Sequence, residues 1–446
     1  MIAAAGAPVV NEPRGYPVVG HLPWYLRDRL GFLLSCDDGS GRPARLRLGR
    51  TAYLLTDATD VEHVLIANFR NYSKTRRLTG RRGRNLLGRG VLTSTGEEHL
   101  QRRRMLQPLF SRKRIAAFDT VVAEVAEEIA ATWDDGAVID VVAEMTTLTR
   151  RVILRTLLGR HSEEPRLEQA LHARERYLEY RFRSLSPLPE LVPRPVVLRH
   201  RGALRELERV FRSEIAAARA NEEAGDDLLA QMVAARASDG TALSDDEIRD
   251  ELLVLSVTGY ETMAAALAWT WYLLALHPDA EAQAQRDADA LRRRSPRAAD
   301  LPAFASTEAV LSEALRLYPP TWIFVRIALG PDRLPSGVEI PAGAKLYLSQ
   351  YVIQRSPRYF AEPERFDPSR FEPEALRSLP EFAYFPFGGG ARLCIGKRLA
   401  LMEGTLTVAS IAARFRLSLE DAGPVAVDPG VTLRPRGPLR MRVHSR

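Results

Sequence analysis

Cys394 sits in the run Phe387-Gly388-Gly389-Gly390-Ala391-Arg392-Leu393-Cys394-Ile395-Gly396, and the only other cysteine is Cys36. A lone cysteine cannot build a zinc site, which takes four ligands. It can be the one axial thiolate of a haem iron, because the porphyrin supplies the other four donors. Gly388, Gly389 and Gly390 allow positive φ and close backbone approach to a flat macrocycle. Gly396 allows a tight turn that aims backbone N–H groups at the sulfur. The alanine- and leucine-rich stretch 397–415 reads as a helix whose N-terminus favours a charged thiolate. Phe387 is expected to keep water from the sulfur, and Arg392 to meet a haem propionate. The bland alternative is a buried free cysteine in a glycine-rich turn.

A second constellation lies in the apolar stretch 245–276. Ser244-Asp245-Asp246-Glu247 is a capping box, and His277-Pro278 stops the helix it starts. Such a helix spans about 50 Å and, being apolar on nearly every face, lies through a core. Inside it stands Thr258-Gly259-Tyr260-Glu261-Thr262. A glycine costs about 1 kcal/mol there, and a buried acid more unless it is paired. Three further patterns follow: Glu313-Ala314-Leu315-Arg316, Phe366-Asp367-Pro368-Ser369-Arg370-Phe371, and His99 with Arg103 on one helical face. Each alone reads as an ordinary ion pair, turn or basic helix.

Together, FxxGxRxCxG, the Gly-Tyr-Glu-Thr run, ExxR and FxPxRF resemble the cytochrome P450 family in order and spacing over nearly the whole chain. The resemblance implies haem b with Cys394 as iron ligand. It implies an oxygen-binding kink at Gly259, with Glu261 and Thr262 relaying protons to dioxygen. It implies a structural triad of Glu313, Arg316 and Arg370 beneath the haem, with Arg365 as the competing third member. His99, Arg103, Arg326 and Arg392 would pair with the propionates, beside Phe387, Gly388 and Gly396. The family usually has Ala or Gly where Thr258 stands, so pocket polarity is open at that point.

The implied fold is mainly α with small β-sheets, in one large domain over residues 1–446. Haem would lie buried between the long central helix and the cysteine loop. A Pro-rich entry covers 1–25, a hairpin 43–56, a helical body about 58–318 and the haem loop 385–396; strand patterns recur near 320–354 and 424–445. Hydrophobic residues make up 46% of the chain, enough for a sizeable core. Two cysteines far apart in the chain argue against a disulfide framework. The lack of a run of 18 apolar residues and of a signal-peptide pattern argues for a cytoplasmic protein without a membrane anchor. The pocket is expected to be lined by Val254, Val257, Thr258, Thr321, Trp322, Ile323 and Phe324, suiting a terpenoid, polyketide or fatty acyl chain.

The net charge of +7 comes mostly from arginine. No aromatic-basic alternation accompanies it, which argues against nucleic acid. A basic face of Arg102, Arg104, Arg112, Lys113, Arg114, Lys397 and Arg398 suits an acidic ferredoxin or flavodoxin, itself served by a reductase. Lys74, Arg76, Arg77, Arg81, Arg82, Arg84 and Arg89 form an exposed loop or grip an anionic or carrier-bound substrate. The leading reading is a monomeric bacterial monooxygenase of specialised metabolism, antibiotic biosynthesis included. Oxidative coupling, rearrangement or peroxide-driven chemistry is the second, and a haem-binding sensor or carrier the third.

Overall fold

The computed structural model describes residues 10–446 other than 160–164, 184–193, 222–224, 238–239, 292–293 and 422. Contacts group the chain into two compact units: up to Thr79 with Ser312–Cys394, and Gly80–Leu311 with Ile395–Arg446.

The first unit is built on a five-stranded sheet. Its strands are β1 (Ala44–Leu48), β2 (Arg50–Leu55), β3 (Tyr72–Lys74), β4 (Phe324–Ala328) and β5 (Lys345–Leu348), in spatial order β1-β2-β5-β4-β3. β1 and β2 form the expected hairpin, turning at Gly49, whose φ of 76° favours glycine. β2 and β5 are parallel, whereas β4 is antiparallel to both β5 and β3. Leu55, Val61, Leu65, Leu346, Leu348, Phe382 and Phe385 pack in its core. From residue 10 the entry segment is non-helical as far as His21, and a short helix begins at Leu22. Pro23 fits that first turn, where its missing N–H costs nothing.

The helices that carry or support the site are, in chain order, α1 (Gly96–Leu106), α2 (Val141–Leu158), α3 (Pro165–Arg183), α4 (Pro195–Ala220), α5 (Asp245–Leu276), α6 (Ala305–Leu317) and α7 (Lys397–Ala412). All but the C-terminal end of α6 lie in the second unit. There α5 packs chiefly against α2 and α4. Its start is the predicted one: Ser244 Oγ accepts from Glu247 N (3.3 Å), and Ser244 N donates back to Glu247 Oε2 (3.0 Å). Among the described residues α5 is the one helix long and apolar enough to cross a membrane, and 83% of its apolar window is buried inside the protein. A three-stranded sheet (Val138–Asp140, Phe415–Leu419, Arg440–Ser445) and a hairpin of β6 (Val427–Pro429) and β7 (Leu433–Pro435) complete this unit. The helical body is therefore interrupted at Tyr72–Lys74 and Val138–Asp140, both too short to show a period-2 pattern.

Candidate active site

The cysteine loop is held by its own backbone. Cys394 N donates to Phe387 O (2.9 Å), Leu393 N to Gly390 O (3.0 Å) and Gly388 N to Phe385 O (2.9 Å). Cys394 is exposed. Gly388 and Gly390 adopt φ of 69° and 61°. At Gly390 a Cβ would stand 2.0 Å from Leu65 O, so only glycine fits. At Gly389 a Cβ would meet the Phe382 ring at 2.3 Å. Gly396 caps α7 with no atom within 4 Å of its Cβ position.

A buried ion pair supports that loop. Arg316 donates to both Glu313 carboxylate oxygens (2.6 and 2.8 Å), and neither side chain has exposed surface. Its other N–H groups donate to Gln354 O (2.8 Å), Pro363 O (2.7 Å) and Arg365 O (3.2 Å). Burial pushes the Glu313 carboxyl up, and the Arg316 fork, the Asp367 N–H and Arg370 pull it back. Arg370 Nε stands 3.5 Å from Glu313 Oε1, completing the expected triad. The Arg365 side chain turns outward to Glu362 and contributes only its carbonyl. Gln354 joins the triad to the loop, donating to Leu315 O and Arg316 O (3.0 Å each) and accepting from Phe385 N (3.0 Å).

Three cations crowd together in the first unit. Lys74 on β3 lies opposite Arg326 on β4, and Arg392 acts on both. Burial lowers the Lys74 ammonium well below the lysine range, with Arg392 and Arg326 adding to the effect. Burial and Arg392 bring the Arg326 guanidinium down to about 10. Arg326 is buried and donates a hydrogen bond to Val325 O (3.2 Å), not to a carboxylate. Like charges directly opposite in a sheet are destabilising. An anionic group set among these three cations would relieve that repulsion.

In the second unit α5 keeps helical backbone through Gly259. Gly259 has a packing reason: a Cβ would stand 2.6 Å from Ile153 Cγ1 on α2. Between Leu252 and Leu274 every residue is buried except Thr258, Gly259 and Thr262. Thr258 Oγ1 donates to Val254 O and Thr262 Oγ1 to Thr258 O, both at 2.9 Å. Glu261 is 8% exposed and accepts from Thr432 Oγ1 (3.1 Å), between β6 and β7. Burial, reinforced by the Glu175 carboxylate, raises the Glu261 carboxyl to about 7, against the pull of Thr432 and Arg434. Tyr260 OH donates to Glu175 (3.1 Å), and Arg434 Nη1 pairs with the same carboxylate (3.3 Å). His99 is buried and Arg103 half-buried one turn apart on α1, as the spacing implied.

The raised Glu261 carboxyl has a signed consequence. Its folded pKa of about 7 exceeds the ordinary glutamate value, so the folded protein binds more protons than the unfolded chain between about pH 4.5 and 7. Stability from this group is full below that window and falls as pH rises through it. Glu261→Gln is expected to remove part of this slope, as read from urea midpoints at pH 5 and pH 8. An unchanged slope would contradict the burial of a protonatable acid here. Glu251, also raised to about 7, supplies a second share that the substitution leaves in place.

The cytochrome P450 family model matches residues 10–441 of this chain. The chain belongs to the cytochrome P450 family. It is 36% identical to cyclooctatin synthase of Streptomyces melanosporofaciens, covering 96% of this chain and 94% of that protein. It is 32% identical to pentalenene oxygenase of Streptomyces avermitilis, covering 98% and 97%. It is 34% identical to cyclooctat-9-en-7-ol 5-monooxygenase of S. melanosporofaciens, covering 95% and 91%. Among solved structures, the haem domain of cytochrome P450DA superposes with a TM-score of 0.87 at 26% identity, covering 98% of each chain. The protein is thus a P450 monooxygenase whose cofactor is haem with cysteine thiolate ligation.

The residues present fit a P450 haem. Cys394 is the exposed thiol, and open space adjoins Gly396. Lys74, Arg326 and Arg392 match a dianionic group of carboxylates. Lys74 was missed by sequence reasoning, which left it in an arginine-rich loop; its strand pairing opposite Arg326 has no local sequence signal. Lys74→Met is expected to leave the haem-free protein as stable or slightly more so, by removing a buried amine whose charge is disfavoured there, and to speed haem loss several-fold. Melting of the apoprotein and haem transfer to an acceptor globin check this. Unchanged haem loss would take Lys74 out of the propionate site.

The structure corrects three other expectations. Val254, Val257 and Trp322 are at most 3% exposed and belong to the packing, whereas Thr258, Thr321, Ile323 and Phe324 retain accessible surface. Phe324 stacks edge-on against Phe385 and lies under Arg326. Arg102 is withdrawn from the proposed basic face, bonded to Glu247 and Glu251 at 3.3 and 3.4 Å. The arginine-rich 81–89 segment is not a plain loop: 81–87 is a helical turn of chain, and the backbone N–H groups of Arg89 and Val91 donate to Asp250 and Glu251 on α5.

Proposed function

We propose that this P450 inserts one oxygen atom from dioxygen into a cyclic terpenoid of bacterial specialised metabolism, using electrons from a separate acidic ferredoxin or flavodoxin. The relatives carry the substrate reading: near-full-length matches are named for pentalenene, cyclooctatin and cyclooctat-9-en-7-ol. Ile323 and Phe324, accessible in the first unit, are uncharged, which suits such a lipophile.

Haem, when bound, supplies the dioxygen activation, with the thiolate donating electron density. The chain's own residues do the rest. Lys74, Arg326 and Arg392 would hold the propionates, a role that the family resemblance also gives to His99 and Arg103. The Glu313–Arg316–Arg370 triad fixes the loop that presents the thiolate. Glu261, with a carboxyl poised near neutrality, takes up and gives protons, because a group with pKa near the working pH does both readily. Thr262 is half-buried on the same helix, and its hydroxyl oxygen keeps acceptor capacity while its proton goes to Thr258 O. Arg112, Lys113, Arg114, Lys397 and Arg398 are exposed, and the helix Arg112–Ala116 packs on α7, so these cations form one face for an acidic donor.

A panel of terpene hydrocarbons and alcohols, free fatty acids and carrier-bound acyl groups tests the reading by low-to-high-spin titration. A shift with terpenoids alone supports it, and a shift only with acids or carrier-bound groups contradicts it. In Thr262→Ala, about 10-fold or more of the product formed per dioxygen consumed is expected to be lost. Unchanged coupling would remove Thr262 from the relay.

A further inference from the structure

Between Leu252 and Leu274 Thr258 is the one exposed residue of α5, with Gly259 and Thr262 half-buried and the rest buried. A helix interior so apolar has no packing need for a hydroxyl, and a valine or alanine would fill the position without one. The hydroxyl's single proton is engaged: Thr258 Oγ1 donates to Val254 O at 2.9 Å. A hydroxyl has one donor and two acceptor lone pairs, so what Thr258 presents to its exposed side is acceptor capacity.

That decides the chemistry of its partner. A substrate carbonyl or carboxylate needs a donor and would first have to displace the intrahelical bond. A substrate hydroxyl displaces nothing. The neighbours one turn away on the same helix, Val254, Leu255, Glu261 and Thr262, include no cation for a carboxylate, and Glu261 is an acid. Thr262 makes the same kind of bond, to Thr258 O, but it is half-buried where Thr258 is exposed, so Thr258 presents the more open acceptor.

We propose that Thr258 accepts a hydrogen bond from a hydroxyl group of the substrate, so that the terpenoid reaching this enzyme already carries one oxygen. Thr258 is then a specificity residue that orients an otherwise apolar molecule by one polar contact. The reaction before it belongs to one of two classes: a cyclisation whose last carbocation is captured by water with loss of a proton, or an earlier monooxygenation. This inference rests on the terpenoid reading above.

The test uses the haem-loaded protein, the alcohol cedrol and its parent hydrocarbon cedrane, and two variants, Thr258→Val and Thr258→Ser. Dissociation constants come from equilibrium dialysis and, independently, from the spin-state shift. Thr258→Val keeps the shape and deletes the acceptor, so cedrol is expected to bind about 5- to 10-fold more weakly while cedrane changes less than about twofold. Thr258→Ser keeps the acceptor, so cedrol affinity is expected to stay within about twofold of the parent, which separates loss of the hydroxyl from damage to the helix. Equal changes for both ligands in Thr258→Val, or none for either, overturn the proposal and leave the terpenoid reading standing. Wasted dioxygen without ligand discrimination also overturns it, because that result assigns Thr258 to a water of the proton relay. If neither ligand binds the unaltered protein while acids do, the terpenoid reading falls and takes this proposal with it.

Discussion

Cys394→Ser is expected to lose the thiolate signature of the ferrous carbon monoxide complex and to cut product formation by more than about a thousandfold, equivalent to about 4 kcal/mol of barrier. The loop itself should survive. Its geometry comes from backbone bonds between Cys394 N and Phe387 O and from the positive-φ glycines, none of which needs the sulfur. The cations Lys74, Arg326 and Arg392 also remain, so some haem should still be retained. What disappears is the electron-donating ligand that assists O–O cleavage. Spectra before and after carbon monoxide addition, with product assays, check the expectation. An unaltered thiolate spectrum would refute the ligand assignment, since Cys36 is fully buried.

Arg316→Ala is expected to destabilise the protein by about 3–5 kcal/mol, because it leaves the Glu313 carboxylate buried without its partner. That is a large share of the 5–15 kcal/mol by which proteins of this kind are stable, so much of the chain should be recovered without haem. Three backbone carbonyls lose donors at the same time: Gln354, Pro363 and Arg365. Arg316→Lys should fail nearly as badly. Lysine has three donors on one atom, and the site uses a planar fork aimed at five acceptors. Glu313→Leu combined with Arg316→Met should recover part of the loss, by removing both charges, but not the carbonyl bonds. Urea unfolding and haem content per chain measure all of this. A loss under about 1 kcal/mol in Arg316→Ala would mean that the triad does not hold the loop.

These two sites show why some of the molecule was legible in the sequence. Cys394, ExxR and the capping box at Ser244 are local patterns, and local chemistry dictates them: a tight turn needs glycine, a helix start needs a cap. The choice of Arg370 over Arg365 rested on family resemblance, and the structure supplies the physical reason, one side chain turning in at 3.5 Å and the other outward. Lys74 was not legible, because its meaning depends on the strand opposite, about 250 residues away in the chain. Trp322 misled for a related reason: it follows a double proline and looks like a pocket wall, but its carbonyl accepts from Ser349 and its ring is buried. Gly259 suggested a kink, and the close approach of Ile153 on a distant helix adds a packing reason for glycine that the local sequence does not carry.

The monooxygenase account is tested most directly with isotopic dioxygen. The haem-loaded protein, an acidic ferredoxin with its reductase, and a cyclic terpene alcohol are incubated under ¹⁸O-labelled dioxygen in unlabelled water. The account predicts a product heavier than the substrate by one labelled oxygen atom, with none from water. A product carrying oxygen from water, or one formed with peroxide but not with dioxygen and electrons, would contradict it.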